Sequence, residues 1–218
     1  MNRWRLDMII NKTTLDAGKI DIDHCIELKG DKNIFKNALY LDLEHFIYKI
    51  PLCIGVFGTC TYNSEKNTIE AIQYMIQDKQ DAREILYVAR DLLTANQKKY
   101  IITFAGENDF SVINFLFKKY KIKFNIEKNY SLVDLQKKYL KYTGAITGLK
   151  NLEKIFGIER DGELISGSNL AKTFGRILKE PGYGERISKE KIDKILNYNL
   201  QDVVNLFHIA TNWNKYVR

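Results

Sequence analysis

Residues 37–44 read Asn-Ala-Leu-Tyr-Leu-Asp-Leu-Glu, an apolar run of strand length in which two acids alternate with leucine. No other feature narrows the possible folds of this chain as much. Residues two apart on a strand point to the same face, so Asp42 and Glu44 aim their carboxylates at one point. On a buried strand that pairing is costly unless cations or hydrogen-bond donors compensate it. On an edge strand with one solvated face it costs little, and the rest of the chain has to decide between the two.

The surrounding pattern favours a sheet flanked by helices. Apolar runs at 37–44, 52–60 and 68–76 read as three consecutive strands, a meander, with a turn near residues 48–51. Residues 81–94 carry Ile85, Leu86, Val88, Ala89, Leu92 and Leu93 at helical spacing, and the apolar run 100–104 has strand length, which begins an α/β crossover. A helix over 111–120, a short strand near 129–133 and helices over 132–142, 149–156 and 170–179 follow. Gly157 stands at a C-cap position, and Glu180-Pro-Gly-Tyr-Gly184 breaks the chain before a long helix that starts at Ser188. The expectation is a mixed sheet, three antiparallel strands and then parallel ones, between helices. Residues 1–34 alternate weakly and read as an arm or short strands before a single domain over 35–218.

Two more acids extend the pattern. Asp109 lies where a strand end meets a helix start, a junction at which α/β sheets place ligand-binding residues, although a carboxylate there could equally cap the helix. Tyr198 and Asp202 are four apart on the last long helix and so share a face. Oxygen donors with few histidines nearby suit Mg²⁺ or Mn²⁺ better than zinc.

Composition limits the partners. The chain has 218 residues, a formal net charge of +7, 13 Tyr, 11 Phe and 3 Cys. A positive excess around an acidic site points to a polyanionic partner. Lys118 and Lys119 lead the densest basic cluster, which serves either nucleic-acid binding or simply a solvated helix face. Cys25, Cys53 and Cys60 are odd in number and form no C-x-x-C pair, so neither a disulfide framework nor a zinc ribbon is expected and a cytoplasmic location is. No stretch approaches the ~18 apolar residues of a membrane span.

Taken together, Leu41-Asp-Leu-Glu44, Thr103-Phe-Ala-Gly-Glu-Asn-Asp109-Phe and Tyr198-Asn-Leu-Gln-Asp202 resemble the three motifs of the DEDD superfamily of 3′-to-5′ exonucleases on the ribonuclease-H-like, DnaQ-like fold. Val133-Asp-Leu135 and residues 149–157 resemble connecting segments of its YprB-like group of predicted exonucleases. Tyr at 198 with Asn at 197 matches the Tyr type, DEDDy. The resemblance implies a two-metal phosphodiester hydrolase acting on single-stranded DNA or RNA 3′ ends. Asp42 would bridge both cations, Glu44 and Asp202 would complete one, Asp109 would hold the second, and Tyr198 would orient the attacking water. His45, where the family often has Thr, would touch the terminal nucleotide or pack. The alternative is a catalytically weak nucleic-acid-binding module of the same fold.

Overall fold

The computed structural model describes residues 8–162 and 165–217, so the first seven residues of the expected arm lie outside the described part. Strand β1 (Ile9–Asp16) is followed by β2 (Ala38–Tyr48), β3 (Ile50–Asn63) and β4 (Thr68–Met75). Helix α1 (Asp81–Ala95) leads into β5 (Tyr100–Thr103), then α2 (Glu107–Lys119), α3 (Ile126–Asn129), β6 (Ser131–Asp134) and α4 (Leu135–Thr143). The chain closes with α5 (Leu149–Ile155), α6 (Gly167–Lys179), α7 (Lys189–Thr211) and α8 (Trp213–Tyr216).

The strands form one six-stranded sheet in the order β1-β4-β3-β2-β5-β6. β1 to β4 pair antiparallel, whereas β5 runs parallel to β2 and β6 parallel to β5. This is the expected meander followed by parallel strands. β2 and β3 are longer than the apolar runs suggest and meet across Lys49, whose φ of 62° makes the tight reversal. β1 pairs with β4 over its whole length, from Ile9 opposite Met75 to Asp16 opposite Thr68. Its alternating half-buried and exposed residues are what a sheet edge requires.

Period-two alternation on β2 divides the core and thereby sites the acids. Leu39, Leu41 and Leu43 sink into a cluster with Ile85, Leu86, Leu116 and Phe117. Ala38 and Tyr40 enter a second cluster, on the opposite face, with Val203, Phe207 and Trp213. Each such side chain contributes about 1.5–3 kcal/mol on burial, so a one-residue slip of β2 would exchange leucines for acids on both faces and is strongly excluded. Asp42 and Glu44 continue the Tyr40 face. α7 covers that face; its N-cap Ser188 accepts from the Lys191 amide, and Phe207 packs edge-on against Tyr40 at 5.6 Å between centroids. Among the described residues no helix is long and apolar enough to cross a membrane.

Candidate metal centre

Two elements supply most of the site. β2 presents Asp42 and Glu44 side by side, and α7 lays Tyr198, Asn199 and Asp202 over them. One oxygen from each of Asp42, Glu44 and Asp202 lies within 4.8 Å of the others. Carboxylates 158 to 160 residues apart in the chain thus converge on one point, as a hard divalent cation would need. Asp42 and Asp202 line a cleft of about 500 Å³ with Phe104, Lys150, Arg160 and Tyr198.

Asp109 stands beside this group and outside it. α2 begins at Glu107, four residues earlier than the sequence pattern suggests, because Ala105 turns the chain with φ 52° and Gly106 takes the cap position. Asp109 is therefore in the first helical turn and makes no capping bond, which removes the competing role of helix cap. It is buried, and His45 Nε2 is 3.9 Å from Asp109 Oδ1. His45 is half-buried, and burial holds its pKa below the usual value.

The electrostatics are those of a site with too little counter-charge of its own for all of its acids. Burial first, then Asp202, Glu44 and Asp109, push the Asp42 pKa well above the carboxylate range, with the Asn199 hydrogen bond opposing. Glu44 is pushed up to about 8 by burial and by Asp202 and Asp109, and Asp109 to about 8 by burial, Asp134 and Asp202. Asp202 rises only to about 6, because burial is opposed by the Arg160 guanidinium. Several acids whose main perturbers are desolvation and one another would be neutralised most directly by a cation, and the all-oxygen donor set fits Mg²⁺ or Mn²⁺.

Each end of the cluster has its own anchor. Asn199 Nδ2 donates to Asp42 Oδ2 at 2.8 Å, and Gln73 Nε2 donates to Asn199 Oδ1 at 2.8 Å. Opposite, Arg160 donates to Asp202 Oδ1 and grips both oxygens of Glu153 at 2.7 and 2.6 Å. Asn205 adds a third bond to Glu153, which is only 1% exposed. Lys150 and Arg160 also flank the Tyr198 ring, at 4.9 and 5.4 Å from its centroid. The Tyr198 hydroxyl is held protonated more firmly than usual by burial, Asp202 and Glu44. Asn199, adjacent to Tyr198, could have been noticed from its place in the motif. Arg160 and Glu153 carry no local signal, since the carboxylate they serve is distant in sequence.

The basic cluster lies elsewhere. Lys118 and Lys119 are exposed in the last turn of α2, roughly 15 Å along the helix from Asp109 at 1.5 Å per residue. Lys119 Nζ sits over the Tyr120 ring, 5.4 Å from its centroid.

Residues 39–214 match a family model of the RNase H superfamily. No curated protein matches the chain.

Proposed function

The chain belongs to the RNase H superfamily, and from that premise we propose that it is a metal-dependent 3′-to-5′ exonuclease of the Tyr type, close to the YprB-like group, acting on single-stranded DNA or RNA ends. The observation that carries the reading is the convergence of Asp42, Glu44 and Asp202 within 4.8 Å, with Tyr198 in the same cleft. Members of this superfamily are usually nucleases, and a folded binding module would have no use for an acid cluster that repels its own ligand.

Asp42, Glu44 and Asp202 would hold one divalent cation and Asp42 with Asp109 a second. Bound divalent cations activate water and offset the charge on the leaving 3′ oxygen in phosphodiester hydrolysis. The protein's own residues do the rest. Tyr198, whose hydroxyl keeps its proton, orients the attacking water as a hydrogen-bonding group and does not serve as a base. Lys150, at the cleft wall, attracts the phosphate backbone, and the +7 charge draws the strand to an otherwise acidic centre. His45, beside Asp109, contacts the terminal nucleotide. A cytoplasmic location belongs to the same reading and is supported by three buried free thiols.

The test is incubation of the purified protein with 3′- and 5′-labelled DNA and RNA oligonucleotides and a circular single strand, with and without Mn²⁺. Mn²⁺-dependent loss of 3′-terminal nucleotides, with the circle intact, is expected. Cleavage of the circle would make the enzyme an endonuclease. Tight binding with no cleavage under any divalent cation would leave a binding module and overturn the proposal.

A further inference from the structure

Four residues form one row across the sheet. Asn11 pairs with Gln73, Gln73 with Gly58, and Gly58 with Asp42. The row lies on the α7 face, where Gly58 leaves a gap that Asn199 fills: a Cβ at position 58 would lie 1.9 Å from Asn199 Oδ1. The polar groups in and above the row are bonded in series. Asn11 Nδ2 donates to Gln73 Oε1 at 2.9 Å, and Gln73 Nε2 donates both to the Leu196 carbonyl and to Asn199 Oδ1 at 2.8 Å. Asn199 Nδ2 then donates to Asp42 Oδ2 at 2.8 Å, with a longer contact to the Asp42 carbonyl at 3.4 Å.

The direction of this series has one solution. The Leu196 carbonyl can only accept, so Gln73 must turn its NH₂ towards α7. Asn199 then has to present oxygen to Gln73 and nitrogen to Asp42. Gln73 and Asn199 are both 0% exposed, so reversing either amide would leave acceptor facing acceptor with no water to intervene.

We infer that Asn11, Gln73 and Asn199 are positioning residues for Asp42: the relay ties down one carboxylate oxygen and leaves the other to the cation. The inference rests on the reading of Asp42, Glu44 and Asp202 as a divalent-metal site. It also gives β1, which precedes the residues matched to the family, a part in the active centre. Hydrogen-bond partners behind a metal ligand typically govern metal affinity by ~10- to 100-fold.

The experiment is calorimetric titration of the full chain with MnCl₂ alone, beside thermal melting of the metal-free protein followed by circular dichroism. Asn199→Leu should weaken Mn²⁺ binding by ~10- to 100-fold while retaining a cooperative melt. Gln73→Met, which touches no proposed ligand, should weaken it by about 3- to 10-fold, and Asn11→Ala, at the far end, by less. Raising Mn²⁺ should restore turnover of a labelled strand in both Gln73→Met and Asn199→Leu, a rescue that a merely structural lesion would not show. If Asn199→Leu fails to fold, Gln73→Met decides. Folded variants that bind Mn²⁺ as tightly as wild type overturn the relay while leaving the metal site standing. A wild-type protein that takes up no Mn²⁺ overturns the metal site and the relay together.

Discussion

The two sides of the acid cluster are anchored by different chemistry. On the β2 side, Asp42 is held by neutral amides, Asn199 backed by Gln73. On the α7 side, Asp202 is held by Arg160, itself clamped by the buried Glu153. Both devices orient a carboxylate, but only the arginine neutralises one. The consequence is visible in the protonation balance: Asp202 rises only to about 6, whereas Asp42 is driven well above the carboxylate range. An amide relay fixes geometry and leaves the negative charge for an external cation to satisfy. An ion pair fixes geometry and consumes part of that charge inside the protein. In the proposed metal site a cation would therefore be held chiefly by the charge of Asp42 and Glu44, while Arg160 ties Asp202 to the buried Glu153.

The comparison breaks first at Asp42. Asp42→Asn keeps an oxygen for Asn199 to donate to but removes the charge, so hydrolysis of 3′-labelled single strands should fall by at least ~10²- to 10³-fold, the usual cost of losing a preorganised electrostatic group. The metal-free protein should melt no lower than wild type, because one member of a mutually repelling set is gone. A gel assay and calorimetric melting check both, and cleavage at the wild-type rate under matched Mn²⁺ would remove Asp42 from the centre.

Arg160→Met should do the reverse and act on stability. It strands Glu153 without a counter-charge in the interior, a loss of about 3–5 kcal/mol. Replacing the pair, as Arg160→Met with Glu153→Leu, should recover much of that stability without restoring catalysis, since Asp202 still lacks its anchor. Urea unfolding of the two variants measures this, and an unchanged midpoint in Arg160→Met would mean the charged side anchors nothing.

Tyr198 lies between the two sides. Tyr198→Phe should preserve the fold, Mn²⁺ affinity and strand binding while lowering single-turnover rate by ~10- to 100-fold, as removal of a water-orienting hydroxyl would. Equal rates at saturating Mn²⁺ would leave the acids to act without it.

The smallest effect is expected from charge outside both sides. Reversal of Lys118 and Lys119 to Glu should weaken single-strand binding a few-fold and flatten its salt dependence by about 0.7 for each phosphate that is no longer neutralised. An unaltered salt slope in fluorescence anisotropy would return the cluster to an ordinary solvated helix face.

Much of the fold is legible in the sequence because period-two and helical spacing reflect which face is buried. Leu39, Leu41 and Leu43 against Tyr40, Asp42 and Glu44 is such a pattern, and the strand it predicts is β2. Backbone geometry and weak signals set the limits. The pattern places the start of α2 late because nothing in Ala105-Gly106 announces a residue at positive φ. The N-terminal strand is indistinct because a sheet edge buries little and so carries little hydrophobic contrast. At the site, Asp42, Glu44 and Tyr198 stand out since they belong to short motifs. Arg160, Glu153 and Gln73 do not, as none differs locally from a surface residue of its type.

By itself the sequence determined the order of the strands and longer helices from β2 to α7, the face of β2 that carries acids, and the stripe of α7 that carries Tyr198 and Asp202. These follow from covalent periodicity: two residues per repeat in a strand, about 3.6 in a helix. Only the tertiary structure decided how the acids are held, because that depends on side chains brought together over long separations in sequence. The gap at Gly58 that admits Asn199, and the pocket in which Arg160 joins Glu153 to Asp202, exist only after α7 has packed on the sheet. Desolvation and charge at those contacts are properties of the assembled interior, where removing water raises the cost of every unpaired group and with it the strength of every pair that forms.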